Sequence, residues 1–145
     1  MSHVRRSDVV KADIEKCFDY IAEPGLAPLF LSSLYSITPI DVEPKGEGNR
    51  WGFEYDLFGV ALRGESVCTV YDRPNRYVWE AVSGVETKWT YTFEKVEGGT
   101  AVELDVEYQL ADAMLGKIAD LAVIERLNEH EADAAVKNLR VILEG

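Results

Sequence analysis

The sequence predicts an α+β domain, a curved antiparallel sheet of seven strands wrapped around one long C-terminal helix. Two short helices are expected between the first and second strands. Three observations carry this prediction. From Ile37 to Leu110 the apolar residues recur with a period of two, and turn residues break the pattern at short intervals. Beyond Leu110 the spacing lengthens to three and four residues, with no proline and with Gly116 as the only glycine before Gly145. Near the start, helical spacing from Ile14 to Ile21 ends at Pro24-Gly25.

Val4 to Val10 reads as the first strand. Asp13 stands where a helix N-cap belongs, ahead of Ile14, Cys17, Phe18 and Ile21. A second short amphipathic helix is expected to carry Leu26, Leu29, Phe30 and Leu34, with extended chain from Ile37. Pro44-Lys45-Gly46-Glu47-Gly48-Asn49 is a hairpin loop rather than a nucleotide site, because no helix follows it. Trp51, Phe53, Tyr55 and Leu57 then share one face. A strand from about Ala61 to Tyr71 ends at Asp72-Arg73-Pro74-Asn75, and Tyr77, Trp79 and Ala81 alternate on the next. Thr87, Trp89, Tyr91 and Phe93 alternate with Lys88, Thr90, Thr92 and Glu94. After Glu97-Gly98-Gly99 the last strand sets Val102, Leu104, Val106, Tyr108 and Leu110 against Glu103, Asp105, Glu107 and Gln109. Short loops between consecutive strands require an antiparallel meander. The long helix carries Met114, Ile118, Leu121, Ile124, Ala135, Leu139 and Ile142, with Ala111-Asp112 as its expected cap.

Each strand therefore has an apolar face and a polar face, and the apolar side needs cover. A twisted sheet is wider than the one long helix on offer, so it must curl and leave a gap lined by its inward side chains. Large, rigid aromatic rings line such a gap without collapsing it.

The totals fit one domain of 145 residues, with 47% hydrophobic and 28% charged residues. A net charge of −11 repels phosphate backbones and anionic membranes, which argues against a nucleic-acid partner. Cys17 and Cys68 form no zinc or redox spacing and read as core residues in a reducing compartment. No apolar run follows Arg5-Arg6 and none reaches membrane-spanning length, so a cytoplasmic protein without stable membrane insertion is expected. Whether it is a monomer or a homodimer stays open.

The chain resembles the START-like, or SRPBCC, superfamily over nearly its whole length. Val9 to Pro24 looks like that family's opening strand and first helix. The segment Val70-Tyr71-Asp72-Arg73-Pro74-Asn75-Arg76-Tyr77-Val78-Trp79 looks like its central hairpin. Trp89-Thr90-Tyr91-Thr92-Phe93-Glu94 with Gly98-Gly99-Thr100 looks like its last hairpin. Lys137-Asn138-Leu139-Arg140 resembles the end of its long helix. The resemblance implies a helix-grip fold. The superfamily includes polyketide cyclases and dehydrases, coenzyme Q-binding proteins, plant pathogenesis-related class 10 proteins and lipid-transfer domains. These stretches are signatures of fold, and fold alone does not decide activity.

Catalytic and cofactor motifs are absent: there is no phosphate loop, dinucleotide fingerprint, nucleophile elbow or zinc-protease pair. No cofactor is implied. His3 and His130 stand apart, so no metal site is expected. If Val4 and Val10 face inward, Arg6 and Asp8 do too; they could pair with each other, or Arg6 could hold a ligand oxygen. Glu125 and Asn128 flank the apolar stripe of the long helix, either as ordinary boundary residues or leaning into the pocket. The rings of Trp51, Phe53, Tyr55, Trp79, Trp89, Tyr91 and Tyr108 serve equally as plain core or as pocket lining. With them, Met114, Ile118 and Leu121 complete the expected lining.

The leading function is binding or transport of a small hydrophobic ligand such as a lipid, an isoprenoid or quinone, or an aromatic polyketide-like molecule. The alternative implied by the resemblance is a polyketide aromatase/cyclase or dehydratase, with Arg6, Tyr55, Tyr91 and Glu125 as candidate catalytic residues. A third reading is a protein-interaction module with a filled cavity.

Overall fold

A computed structural model describes residues 2–57, 59–83, 86–109 and 121–145 of the chain. The elements follow the expected order. Strand β1 (Ser2–Val10) leads into helix α1 (Ile14–Ile21) and a 3₁₀ helix (Pro24–Leu29). Strands β2 (Leu34–Asp41), β3 (Arg50–Leu57), β4 (Val60–Asp72), β5 (Arg76–Ala81), β6 (Glu86–Val96) and β7 (Gly99–Gln109) follow, and then helix α2 (Leu121–Glu144). The expected cap at Ala111-Asp112 lies outside the described residues.

The seven strands make one antiparallel sheet in the order β1-β7-β6-β5-β4-β3-β2. The meander runs unbroken from β2 to β7, and β1 closes onto β7, with Val4 opposite Val106 and Val10 opposite Thr100. Period-two burial is cleanest on β7, where Val102, Leu104, Val106 and Tyr108 are buried between half-buried acidic neighbours. Helix α1 buries Ile14, Cys17, Phe18 and Ile21, the residues picked out by their spacing. Asp13 does stand at its N-cap in extended conformation, but its side chain makes no capping hydrogen bond. Thr100 ties this corner together by donating from its buried hydroxyl to the Ala12 carbonyl at 2.8 Å.

The second helical segment differs from expectation. It is a six-residue 3₁₀ helix, Leu29 is 63% exposed, and Leu34 already belongs to β2. Pro28 supplies the reason: inside the segment it cannot donate the backbone hydrogen bond that an α-helix needs, whereas Pro24 stands at the first position, where no donor is required. Phe30 and Leu31, immediately after it, are the buried residues that anchor the segment.

Helix α2 lies along β1. Its Ala132, Ala135, Val136, Leu139 and Leu143 are buried in the common core. The small alanines let the helix approach the sheet closely. One glycine sets a close approach within the sheet: a Cβ on Gly64 would sit 2.1 Å from the Ser83 carbonyl oxygen and 2.7 Å from the Phe53 ring. Gly64→Ala should therefore cost about 1–3 kcal/mol through overpacking. Urea unfolding would show a lower midpoint with an unchanged slope, and an unchanged midpoint would refute the close-approach account.

Candidate functional site

Under α2, the inner face of the sheet leaves a cavity. Phe53 and Tyr55 on β3, Leu62 on β4, Trp79 on β5, Thr87 and Trp89 on β6, and Val106, Tyr108 and Gln109 on β7 form its sheet wall. Leu31 and Leu34 close one side, and Asn128 and Glu131 on α2 face the sheet across it. The strand residues come together because period two aims them at one face. Gln109 is the exception in parity, reaching the cavity from the end of β7.

Trp79 and Trp89, opposite one another on neighbouring strands, form the flat part of the wall. Their rings are parallel to within 5° with centroids 5.4 Å apart. Such a pair contributes about 0.5–1.5 kcal/mol beyond its burial. It presents a rigid aromatic surface to whatever enters.

The polar trim is small and fixed in place. The Glu131 carboxylate accepts hydrogen bonds from the Ser32 hydroxyl, the Ser33 hydroxyl and the Ser33 backbone N–H, each at 2.9 Å. It thus clamps the turn before β2 to α2. Burial, followed by the charge of Glu131 and the proximity of Tyr108, pushes the Tyr55 phenol well above the ordinary tyrosine range. Tyr55, Tyr108, Asn128 and Glu131, with Thr87 and Gln109, are the polar residues of an otherwise apolar chamber.

The structure distributes the sequence candidates unevenly. Phe53, Tyr55, Trp79, Trp89, Tyr108 and Asn128 line this cavity. Trp51 and Tyr91 are buried on the same inner face but stand at a different space, farther along the sheet. Arg6 and Asp8 do face the helix side of β1, yet they do not pair with each other. Arg6 donates to Asp133 at 2.5 Å, and Asp8 takes Arg140 at 3.5 Å, because α2 lies along β1 and supplies the opposite charges. Both pairs are partly exposed and contribute little to stability. Glu125 is exposed on α2. Met114 and Ile118 lie outside the described residues, as does the side chain of Leu121 at the start of α2.

Sequence reasoning missed Glu131, the carboxylate that does reach the cavity. The signal was available: Glu131 follows Asn128 by three residues, as Glu125 precedes it by three, and either shares its helix face. Ser32-Ser33, a pair of hydroxyls with no charge nearby in sequence, is its partner.

The family comparison agrees with this architecture. Residues 1–144 match the family model described as polyketide cyclase / dehydrase and lipid transport, and the chain belongs to that family. Its fold is the START-like helix-grip. Among solved structures, the protein TTHA0849 from Thermus thermophilus is 20% identical with a TM-score of 0.79, covering 97% of this chain and 95% of that one. A START superfamily protein from Mycobacterium smegmatis is 9% identical with a TM-score of 0.77, over 98% and 97% of the two chains. The di-domain ARO/CYC StfQ from the steffimycin biosynthetic pathway is 10% identical with a TM-score of 0.78; 98% of this chain matches 50% of that one. Comparison with curated proteins returns no match.

The buried phenols give a test of this geometry. Burial raises the pKa of Tyr55, Tyr77 and Tyr91 above the ordinary value of 10.0. A raised folded-state value means that stability is fully present below the unfolded pKa and is lost as pH climbs above it. Alkaline titration followed by phenolate absorbance should show these three ionising only together with unfolding. Smooth ionisation of all tyrosines near their ordinary pKa, with the fold intact, would contradict the burial.

Proposed function

We propose that the protein binds and carries a small hydrophobic molecule, a lipid, an isoprenoid or quinone, or an aromatic polyketide-like compound, in the cavity under α2. The observation that supports this most is the wall itself: a stacked indole pair and aliphatic side chains, with a few hydroxyl, amide and carboxylate groups among them. Ligand sites are apolar chambers in which a few placed polar groups orient the guest.

Size adds a condition. The cavity volume is about 50 Å³. An apolar cavity of roughly 150 Å³ is what holds a benzene. A guest of drug or lipid size therefore has to widen the space. The helix is held along one edge by β1 and across the cavity by Glu131 on Ser32 and Ser33, so the ligand-bound state moves α2 or the 31–34 turn outward from that clamp. Cys17 and Cys68, both buried and unbridged, support a reducing cytoplasmic setting. The net charge of −11 supports a small-molecule partner over nucleic acid.

A cyclase or dehydratase is the second reading, favoured by one observation, the Glu131 carboxylate close to the buried Tyr55 phenol. In that chemistry the carboxylate would take a proton from the substrate carbon while a tyrosine hydroxyl stabilises the enolate oxygen. Three donors already occupy Glu131, so a substrate proton competes with them. That competition favours carriage over catalysis.

Titration with phenylnaphthylamine, a neutral aromatic probe, tests the carrier reading. Probe fluorescence should rise saturably, tryptophan emission should fall, and Trp89→Ala should weaken binding by at least about tenfold. Native mass spectrometry of gently purified protein should show an apolar guest. Absence of saturable probe binding would sink the reading. For the second reading, Glu131→Gln should keep binding yet abolish turnover of a poly-β-ketone; equal turnover would remove Glu131 from any mechanism.

A further inference from the structure

A second and larger cavity opens at the other end of the sheet, between the α1 and 3₁₀ segment and the β2–β3 hairpin. Its volume is about 220 Å³. Trp51, Tyr71, Tyr77, Cys68, Ile37 and Val42 make its apolar wall, with Glu23, Glu43 and Lys45 at its rim. A void of about 10 Å³ bordered by Leu34, Ile37, Trp51, Tyr77 and Trp79 lies between it and the cavity under α2. That volume is at the limit for a single water. The two cavities are therefore separate compartments for any organic guest, divided by Trp51, Trp79 and Tyr77.

We propose that this second cavity is an independent binding site for a small, neutral, planar aromatic molecule carrying a hydroxyl, of phenol to indole size. Volume decides the size class: the space already exceeds the roughly 150 Å³ that accommodates benzene, so a guest of one or two small rings enters it without the widening that the cavity under α2 requires. Edge and face contacts suit a flat ring, because Tyr71 and Tyr77 stand perpendicular at 89° with centroids 6.1 Å apart. The rim decides polarity. Lys45 donates to Glu23 at 2.8 Å, so an ammonium donor and a carboxylate acceptor stand side by side. A hydroxyl satisfies both at once, accepting from one and donating to the other. Two carboxylates against one ammonium at the rim disfavour an anionic guest. Cys68 is no reactive group here: burial pushes its thiol up to about 11, and it donates to the Val70 carbonyl.

Fluorine NMR titration with para-fluorophenol tests the site on the intact protein. Saturable binding to the parent chain is expected. Val42→Trp and Cys68→Phe, which fill the second cavity, should each weaken it by at least about tenfold, while Leu62→Trp, which fills the first, leaves it within about twofold. Val42 lies outside the strands and only half-buried, so its variant keeps the test valid if Cys68→Phe fails to fold cooperatively. The proposal is overturned if the parent chain binds no probe, if all variants bind alike, or if Leu62→Trp alone abolishes binding. Phenylnaphthylamine titration of Val42→Trp separates the two cavities: its retention there with loss of para-fluorophenol assigns one guest to each.

Discussion

Seven antiparallel strands with one apolar face must be covered, and among the described residues a single long helix, lying along one edge of the sheet, does so. That mismatch of widths governs the rest of the structure. Where α2 meets β1, the small side chains of Ala132 and Ala135 permit close packing and are fully buried. Away from that edge the inner face curves over space that the helix does not fill. Large rings take up part of it, with Trp79 stacked on Trp89 and tilted against Trp51, and cavities remain on either side of this aromatic partition. The empty volumes are a consequence of covering a wide sheet with a narrow element.

Charge is arranged to keep that geometry rather than to stabilise it strongly. On β1, Arg6 and Asp8 face the helix side, where charges cost free energy unless paired, and α2 answers each with its opposite, Asp133 and Arg140. These contacts fix the rotation of α2 on the edge strand. Glu131 holds the same helix from the far side of the cavity, through three hydrogen bonds to the Ser32-Ser33 turn. The helix is thus tethered at an edge and at a clamp, with the cavity between.

Much of the fold is legible in the sequence. Strand faces follow directly from alternation, as on β7, where every residue read as inward from Val102 to Tyr108 is buried. The α1 stripe and the meander follow from spacing and turn residues. The pairing of β1 with β7 is harder to read, since it joins the two ends of the strand series and no local pattern encodes it. The 3₁₀ segment is easily misread because an apolar helical spacing masks Pro28, whose missing donor limits the element. The candidate site is legible only in its rings. Parity gives Tyr55, Trp79, Trp89 and Tyr108, but it cannot tell that Trp51 and Tyr91 border a separate small void instead of this cavity. Glu125 and Glu131 flank Asn128 symmetrically, and which one meets the cavity depends on where the helix crosses the sheet.

On the proposed function, the space under α2, walled by the indole pair and trimmed by Tyr55, Tyr108, Asn128 and Glu131, takes a hydrophobic guest. Isotope-filtered NMR of the labelled protein with unlabelled phenylnaphthylamine addresses it directly. Cross-relaxation from the guest protons to the side chains of Trp89, Leu62 and Tyr108, together with faster amide exchange at Ser33 as the clamp loosens, is the predicted result. A saturated complex whose guest contacts are confined to exposed residues, with Ser33 exchange unchanged, would contradict it.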